Sequence, residues 1–147
     1  MIKYLLYFIL LITFFSCEKD IFENSQNANI SFSNDTIIFD TTFNSISTTT
    51  KYLTVYNRNS SDIYTDISLN LVNGGSFRMN VDGVPGNIHN SVSIPANDSI
   101  FIFLEVTPNQ NPNNLFLLTS SILFKTGSLE QNAVSYTHLT LPTNVAV

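Results

Sequence analysis

The chain of 147 residues has no tryptophan, one cysteine and two histidines, and only 12% of its residues are charged. Each scarcity removes a class of function. A single cysteine forms no intrachain disulfide, and with His89 and His138 as the only imidazoles, zinc sites of the Cys/His type are excluded by count. Lys and Arg number 6 against 11 Asp and Glu. The resulting net charge of −5 repels a phosphate backbone instead of releasing its counterions, so nucleic acid is not a partner that this composition suits. Catalysis needs converging acids, bases or nucleophiles. The mature body holds no cysteine nucleophile, and no catalytic, cofactor-binding or metal-binding residue is expected.

What the chain does have is 44% apolar residues together with 19 Asn, 17 Ser and 15 Thr. These small polar types favour turns and strands over helix interiors, which disfavours a helical bundle. The length suits one domain.

Only one hydrophobic run is long. Lys3 precedes Tyr4 to Phe15, apolar apart from Thr13, and the run stops at Ser16, Cys17, Glu18, Lys19 and Asp20. Twelve residues fall short of the roughly 20 that span a bilayer as a helix. The run is the apolar core of a signal peptide, residues 1–16. Thr13 to Cys17 resembles a bacterial lipobox of the looser Bacteroidota kind, with Phe14 where Leu is usual. That resemblance implies cleavage before Cys17 and a diacylglycerol on its thiol, an anchor on the membrane without a spanning helix. Glu18, Lys19 and Asp20 resemble the acidic export signal of outer-membrane, surface-exposed Bacteroidota lipoproteins; a polar segment beside a headgroup layer explains the same letters. Residues 17–29 form the lipidated N-terminus and tether.

From about residue 30 the hydropathy alternates with period 2. Leu53 and Val55 oppose Tyr52, Thr54 and Tyr56, and Ile63, Thr65, Ile67, Leu69 and Leu71 oppose Tyr64, Asp66, Ser68 and Asn70. Phe77, Met79 and Val81 oppose Arg78, Asn80 and Asp82, and Ile100, Ile102, Leu104 and Val106 oppose Phe101, Phe103, Glu105 and Thr107. Turn clusters at 57–62, 73–75, 82–86, 95–98 and 108–114 separate these runs. The spacing predicts an all-β fold, an immunoglobulin-like antiparallel β-sandwich of about seven strands over residues 30–133, with Leu53, Val55, Ile67, Leu69, Phe77, Ile102 and Leu104 in its core.

The ordered series Leu53 to Asn57, Ile67 to Leu69, Gly74, Gly75 and Phe77, then Ile94 to Asp98 leading into Ile100 to Pro108, resembles Ig-like domains of the hydin and abnormal-spindle type. With Phe32 to Asp40 it is similar to the N-terminal module of uncharacterised Bacteroidota lipoproteins, in which a parallel β-helix commonly follows. The resemblance implies a spacer or structural module and brings no catalytic residue.

The remaining candidates are few. Asn80, Asp82 and Gly83 resemble a fragment of a calcium loop, but Arg78 occupies the first ligand position, and an Asp-Gly hairpin turn accounts for the letters. His89 reads as a surface residue in a turn-rich stretch. Thr36, Thr41 and Ser99, each after an Asp, resemble the Bacteroidota O-glycosylation motif, and the same pairs also make local side-chain to backbone bonds at turns. Tyr52, Tyr56 and Tyr64 could together offer an aromatic platform for a sugar, although cross-strand Tyr pairs ordinarily stabilise sheets. Two functions result: a non-enzymatic, lipid-anchored envelope module acting as spacer or interaction domain, or a glycan-binding surface lipoprotein of a polysaccharide-uptake system.

Val134 to about Thr143 resembles the translated end of a transposon adapter used in sequencing libraries, and 144–147 would be read from index bases. Pro142 would also interrupt a central strand; the alternative is an authentic C-terminal strand. On the adapter reading, residues 134–147 are a tail foreign to a truncated gene. Sequencing the locus from a transposon-free library should diverge after about Ala133, and recovery of these ten codons in genomic context would refute the adapter origin.

Overall fold

The computed structural model describes residues 28–42, 46–71, 75–108 and 117–138. The signal segment, Cys17 and most of the tether lie outside the described residues. Among the described residues the alternation in the sequence becomes ten strands: β1 (Ser31–Phe32), β2 (Thr36–Ile38), β3 (Lys51–Tyr56), β4 (Ile63–Leu71), β5 (Gly75–Val81), β6 (Val84–Pro85), β7 (Ile88–Ile94), β8 (Ser99–Pro108), β9 (Leu117–Thr126) and β10 (Leu129–His138). That is more than the seven or so expected, the surplus being the two- and three-residue strands β1, β2 and β6, and the described residues contain no helix.

Two five-stranded sheets face each other, one ordered β1-β3-β8-β5-β6 and the other β2-β10-β9-β4-β7. All pairs are antiparallel except β2 with β10. Successive side chains point to opposite faces of a strand, so the inward set is fixed by parity. Leu53, Val55, Phe77, Ile102 and Leu104 meet Ile67, Leu69, Ile122 and Phe124 in one continuous core. All seven expected core residues are buried, none more than 7% exposed, and each contributes roughly 1.5–3 kcal/mol relative to exposure. The architecture is an Ig-like β-sandwich. Leu71 shares the inward parity but is 53% exposed, because it is the last residue of β4, at the rim.

Packing reaches both ends of the described residues. Ala28 and Ile30 are buried, and the Ile30 N–H and carbonyl bond the Gln131 carboxamide at 3.0 and 2.9 Å. At the other end β10 runs through Val134 to His138. Its inward positions Ala133, Ser135 and Thr137 are fully buried, and Ser135 bonds Ser120 across the ladder at 2.6 Å. Pro142 lies outside the described residues. Residues 134–138 also hold β2, with Val134, Ser135 and Tyr136 opposite Thr36, Ile37 and Ile38.

The stretch around His89 is a strand and not a turn. β7 is an edge strand, and its register shifts between Thr65 and Ile67, where Ser91 takes a φ of 52° and donates its N–H to Asp66 Oδ1 at 2.8 Å. A bulge breaks the period-2 pattern, which is why the hydropathy concealed it.

Asn57, at the end of β3, is 1% exposed. Its Nδ2 donates to the carbonyls of Ser61, Ile94 and Pro95 at 2.9, 2.9 and 3.0 Å, while Oδ1 accepts from the Asn59 N–H and carboxamide at 2.9 and 2.8 Å. Asn57→Ala removes these bonds from a buried site, including the buried one to the Ile94 carbonyl, and a buried polar group left unpaired costs about 1–3 kcal/mol. Asn57→Asp aims a carboxylate at three carbonyls and should cost more than Asn57→Ala. Urea unfolding of the two variants beside the parent chain should rank them in that order.

Candidate functional site

The outward face of the β1-β3-β8-β5-β6 sheet collects most of the features that sequence alone left scattered. Because Ile100, Ile102 and Leu104 of β8 point into the core, Phe101 and Phe103 point out of it. The β3 register sets Tyr52 opposite Phe103 and Thr54 opposite Phe101. The Phe101 and Phe103 rings are stacked at 6.4 Å, and Tyr52 lies 6.1 and 6.4 Å from them. Tyr52, Phe101 and Phe103 remain 63%, 45% and 40% exposed.

On the other flank of β8, β5 places Asn80 opposite Phe103 and Arg78 opposite Glu105. Arg78 Nη2 meets Glu105 Oε1 at 2.8 Å and reaches Ser47 Oγ at 3.4 Å, and Ser47 bonds Thr107 at 2.7 Å. Such an exposed pair adds at most about 1 kcal/mol to stability; its larger consequence is that the face is locally neutral. Between β5, β6 and β8 lies a shallow depression of about 230 Å³, lined by Thr50, Arg78, Asn80, Pro85, Phe103 and Glu105 among others. Asn80 Oδ1 is buried there with no hydrogen-bond partner, the one such side-chain atom found among the described residues.

The three tyrosines do not form one platform. Tyr52 and Tyr56 share β3, but Tyr64 is on β4, in the other sheet. Sheets pack about 10 Å apart with a core between them, so Tyr64 is presented on the opposite side of the molecule. Tyr56 sits under the Arg58 guanidinium, 5.3 Å from the ring centroid, beside a second, more polar hollow reaching Asn97 and Asp98. The aromatic neighbours of Tyr52 are instead Phe101 and Phe103. Their signal was two phenylalanines on the polar side of an alternating strand.

The other singled-out residues fall as follows. Asp82 and Gly83 have φ of 48° and 87° and close the hairpin between Val81 and Val84, as the two-residue Asp-Gly turn requires. Thr36 opens β2 and is exposed, Thr41 is exposed outside the strands, and Ser99 opens β8 half-buried. The local bond expected of such pairs is present at Ser99, whose N–H donates to Asp98 Oδ1 at 2.7 Å. His89 Nε2 lies 2.9 Å from the Gly86 carbonyl, and His138, at the end of β10, is exposed and meets the Tyr136 ring edge-on. Among the described residues, no three His, Cys, Asp or Glu side chains come together as a metal site.

No family model and no curated protein matches the chain. Solved structures do. A FixG-related protein from Vibrio parahaemolyticus is similar with a TM-score of 0.50 at 12% identity, over 77% of this chain and 96% of that one. A family 123 glycoside hydrolase from Clostridium perfringens, described for glycolipid glycan hydrolysis, is similar with a TM-score of 0.51 at 11% identity, over 78% of this chain and 27% of the hydrolase. The CooA pilin subunit from enterotoxigenic Escherichia coli matches 77% of this chain and 98% of its own at 8% identity and a TM-score of 0.46. At 11–12% identity, what this chain shares with the first two is the fold of a β-sandwich.

Proposed function

We propose that this protein is a non-enzymatic, lipid-anchored Ig-like module of the cell envelope, a spacer or interaction domain at the N-terminal end of a larger outer-membrane lipoprotein. The observation that carries the reading is the succession along the chain. A twelve-residue apolar run, Tyr4 to Phe15, is followed after Ser16 by the only cysteine, and Ala28, the first described residue, is already buried in the core. Each buried CH₂ of an acyl chain contributes roughly 0.8 kcal/mol, so a multiply acylated Cys17 holds the sandwich at a membrane surface, with residues 17–29 as lipidated N-terminus and tether. The sandwich closes a continuous apolar core and leaves the cluster of Tyr52, Phe101 and Phe103 exposed on one sheet, which suits contact with a partner better than chemistry on one.

Two measurements test this. Cys17→Ala should block lipid attachment and processing and move the protein out of the membrane fraction; unchanged partitioning would overturn the anchor. The Asp-preceded Thr36, Thr41 and Ser99 are reachable at strand starts or outside strands, and at least one should carry glycan in the native cell. An intact mass of envelope-purified protein equal to that of the unglycosylated lipoprotein would exclude the modification.

A further inference from the structure

Resting on the reading of this domain as an interaction module, we propose that the outward face of Tyr52, Phe101 and Phe103 is a binding site for a neutral polysaccharide, with Asn80 as its hydrogen-bonding residue.

Charge and size select the occupant. Among the described residues, the charges at the centre of the face are Arg78 and Glu105, which neutralise each other at 2.8 Å. A polyanion therefore finds no field to hold it. Single-stranded nucleic acid also stacks on aromatic rings, but it needs a positively charged groove to track its backbone, and this chain carries a net −5. A protein partner typically covers about 800 Å² on each side. Three rings, each about half exposed, offer on the order of 300 Å² of aromatic surface, after which the face turns polar at Asn80, Arg78, Glu105 and Thr107. Three rings and a polar margin match a few sugar units, whose C–H faces pack on aromatic rings while their hydroxyls reach sideways for hydrogen bonds.

Asn80 supplies the second, independent observation. A buried amide oxygen without a donor costs stability, and the sequence nevertheless places one beside Phe103, in the depression against β6. Asn80 lines the same depression as Phe103, so its carboxamide is the hydrogen-bonding group nearest the rings, and its unfilled capacity is open to a sugar hydroxyl seated there.

The test uses the mature chain carrying Cys17→Ser, which stays out of the membrane, run in native gels containing a soluble β-glucan, a galactomannan or a xylan, with alginate as the polyanion. At least one neutral polymer should retard the chain, and alginate should not. Tyr52→Ala and Phe103→Ala should each weaken retardation tenfold or more while keeping the parent's melting temperature to within a few degrees, since both side chains are exposed. Tyr64→Ala, on the opposite face, should bind as the parent does. Asn80→Ala should weaken binding without loss of melting temperature, a combination that a purely structural role does not produce. Retardation by none of the neutral polymers, retardation by alginate alone, or retardation that survives both Tyr52→Ala and Phe103→Ala would overturn the proposal. So would a concentration-dependent dimer in sedimentation abolished by Phe103→Ala, which would assign the face to a second copy of the chain. None of these failures touches the lipid anchor, which the Cys17→Ala fractionation reads separately.

Discussion

The Asn57 carboxamide ties together four pieces of chain that belong to different sheets: the end of β3, the loop into β4, the end of β7 and the turn into β8. Its five bonds are supplemented by the Asn57 N–H to Asp98, the Asn97 N–H to Asn59 and the Ala96 N–H to Asp62 Oδ1, at 2.9, 3.1 and 2.8 Å. Two sheets held only by apolar contact can slide, because the hydrophobic effect has no direction. A buried amide fully satisfied by carbonyls at fixed distances cannot slide with them. The relative placement of the sheets at this end of the sandwich, and therefore the pairing of Leu53 and Val55 with their partners across the core, depends on this one side chain.

At the other flank of the molecule the constraint is the parallel pair of β2 and β10. The chain passes from the first sheet at β1 to the second at β2 within a few residues, so its N-terminal segment closes both layers. The closure extends beyond the ladder through Phe39 N–H to the Tyr136 carbonyl at 3.0 Å and Thr42 N–H to the His138 carbonyl at 3.2 Å. Thr137 Oγ1 adds a bond to the Asp40 carbonyl at 2.9 Å. This geometry requires small or apolar side chains at 135 and 137, where Ser135 and Thr137 are buried, and tolerates polar ones at 134, 136 and 138.

Once the interior is closed, each strand still has a second face, and the two sheets use theirs differently. The β2-β10-β9-β4-β7 sheet shows Ser68, Asn70, Ser121 and Asn132 along its middle, with Val134 among them and Tyr64 exposed farther along β4. The other sheet presents three aromatic rings, a neutral ion pair and an amide oxygen without a donor. Aromatic side chains at outward positions add cross-strand stability of roughly 0.2–1 kcal/mol per pair. That gain explains Tyr52 opposite Phe103, but it does not explain an orphaned Asn80 next to them.

Period-2 alternation determined which side chains are inside: Leu53, Val55, Ile67, Leu69, Phe77, Ile102 and Leu104 were all legible, as was the Asp82-Gly83 turn, because strand parity and positive φ are local properties of the backbone. It also marked Phe101 and Phe103 as outward. What it did not determine is sheet membership. β3 and β4 follow each other in sequence yet lie in opposite layers, and only the long-range ladders, β3 with β8 and β4 with β9, decide that Tyr52 joins Phe103 while Tyr64 faces away. The strand at 88–94 was hidden for a related reason, since an edge strand with a bulge has one partner and no strict alternation. The unpartnered oxygen of Asn80 belongs wholly to the tertiary structure, because whether a polar atom is satisfied depends on everything packed around it.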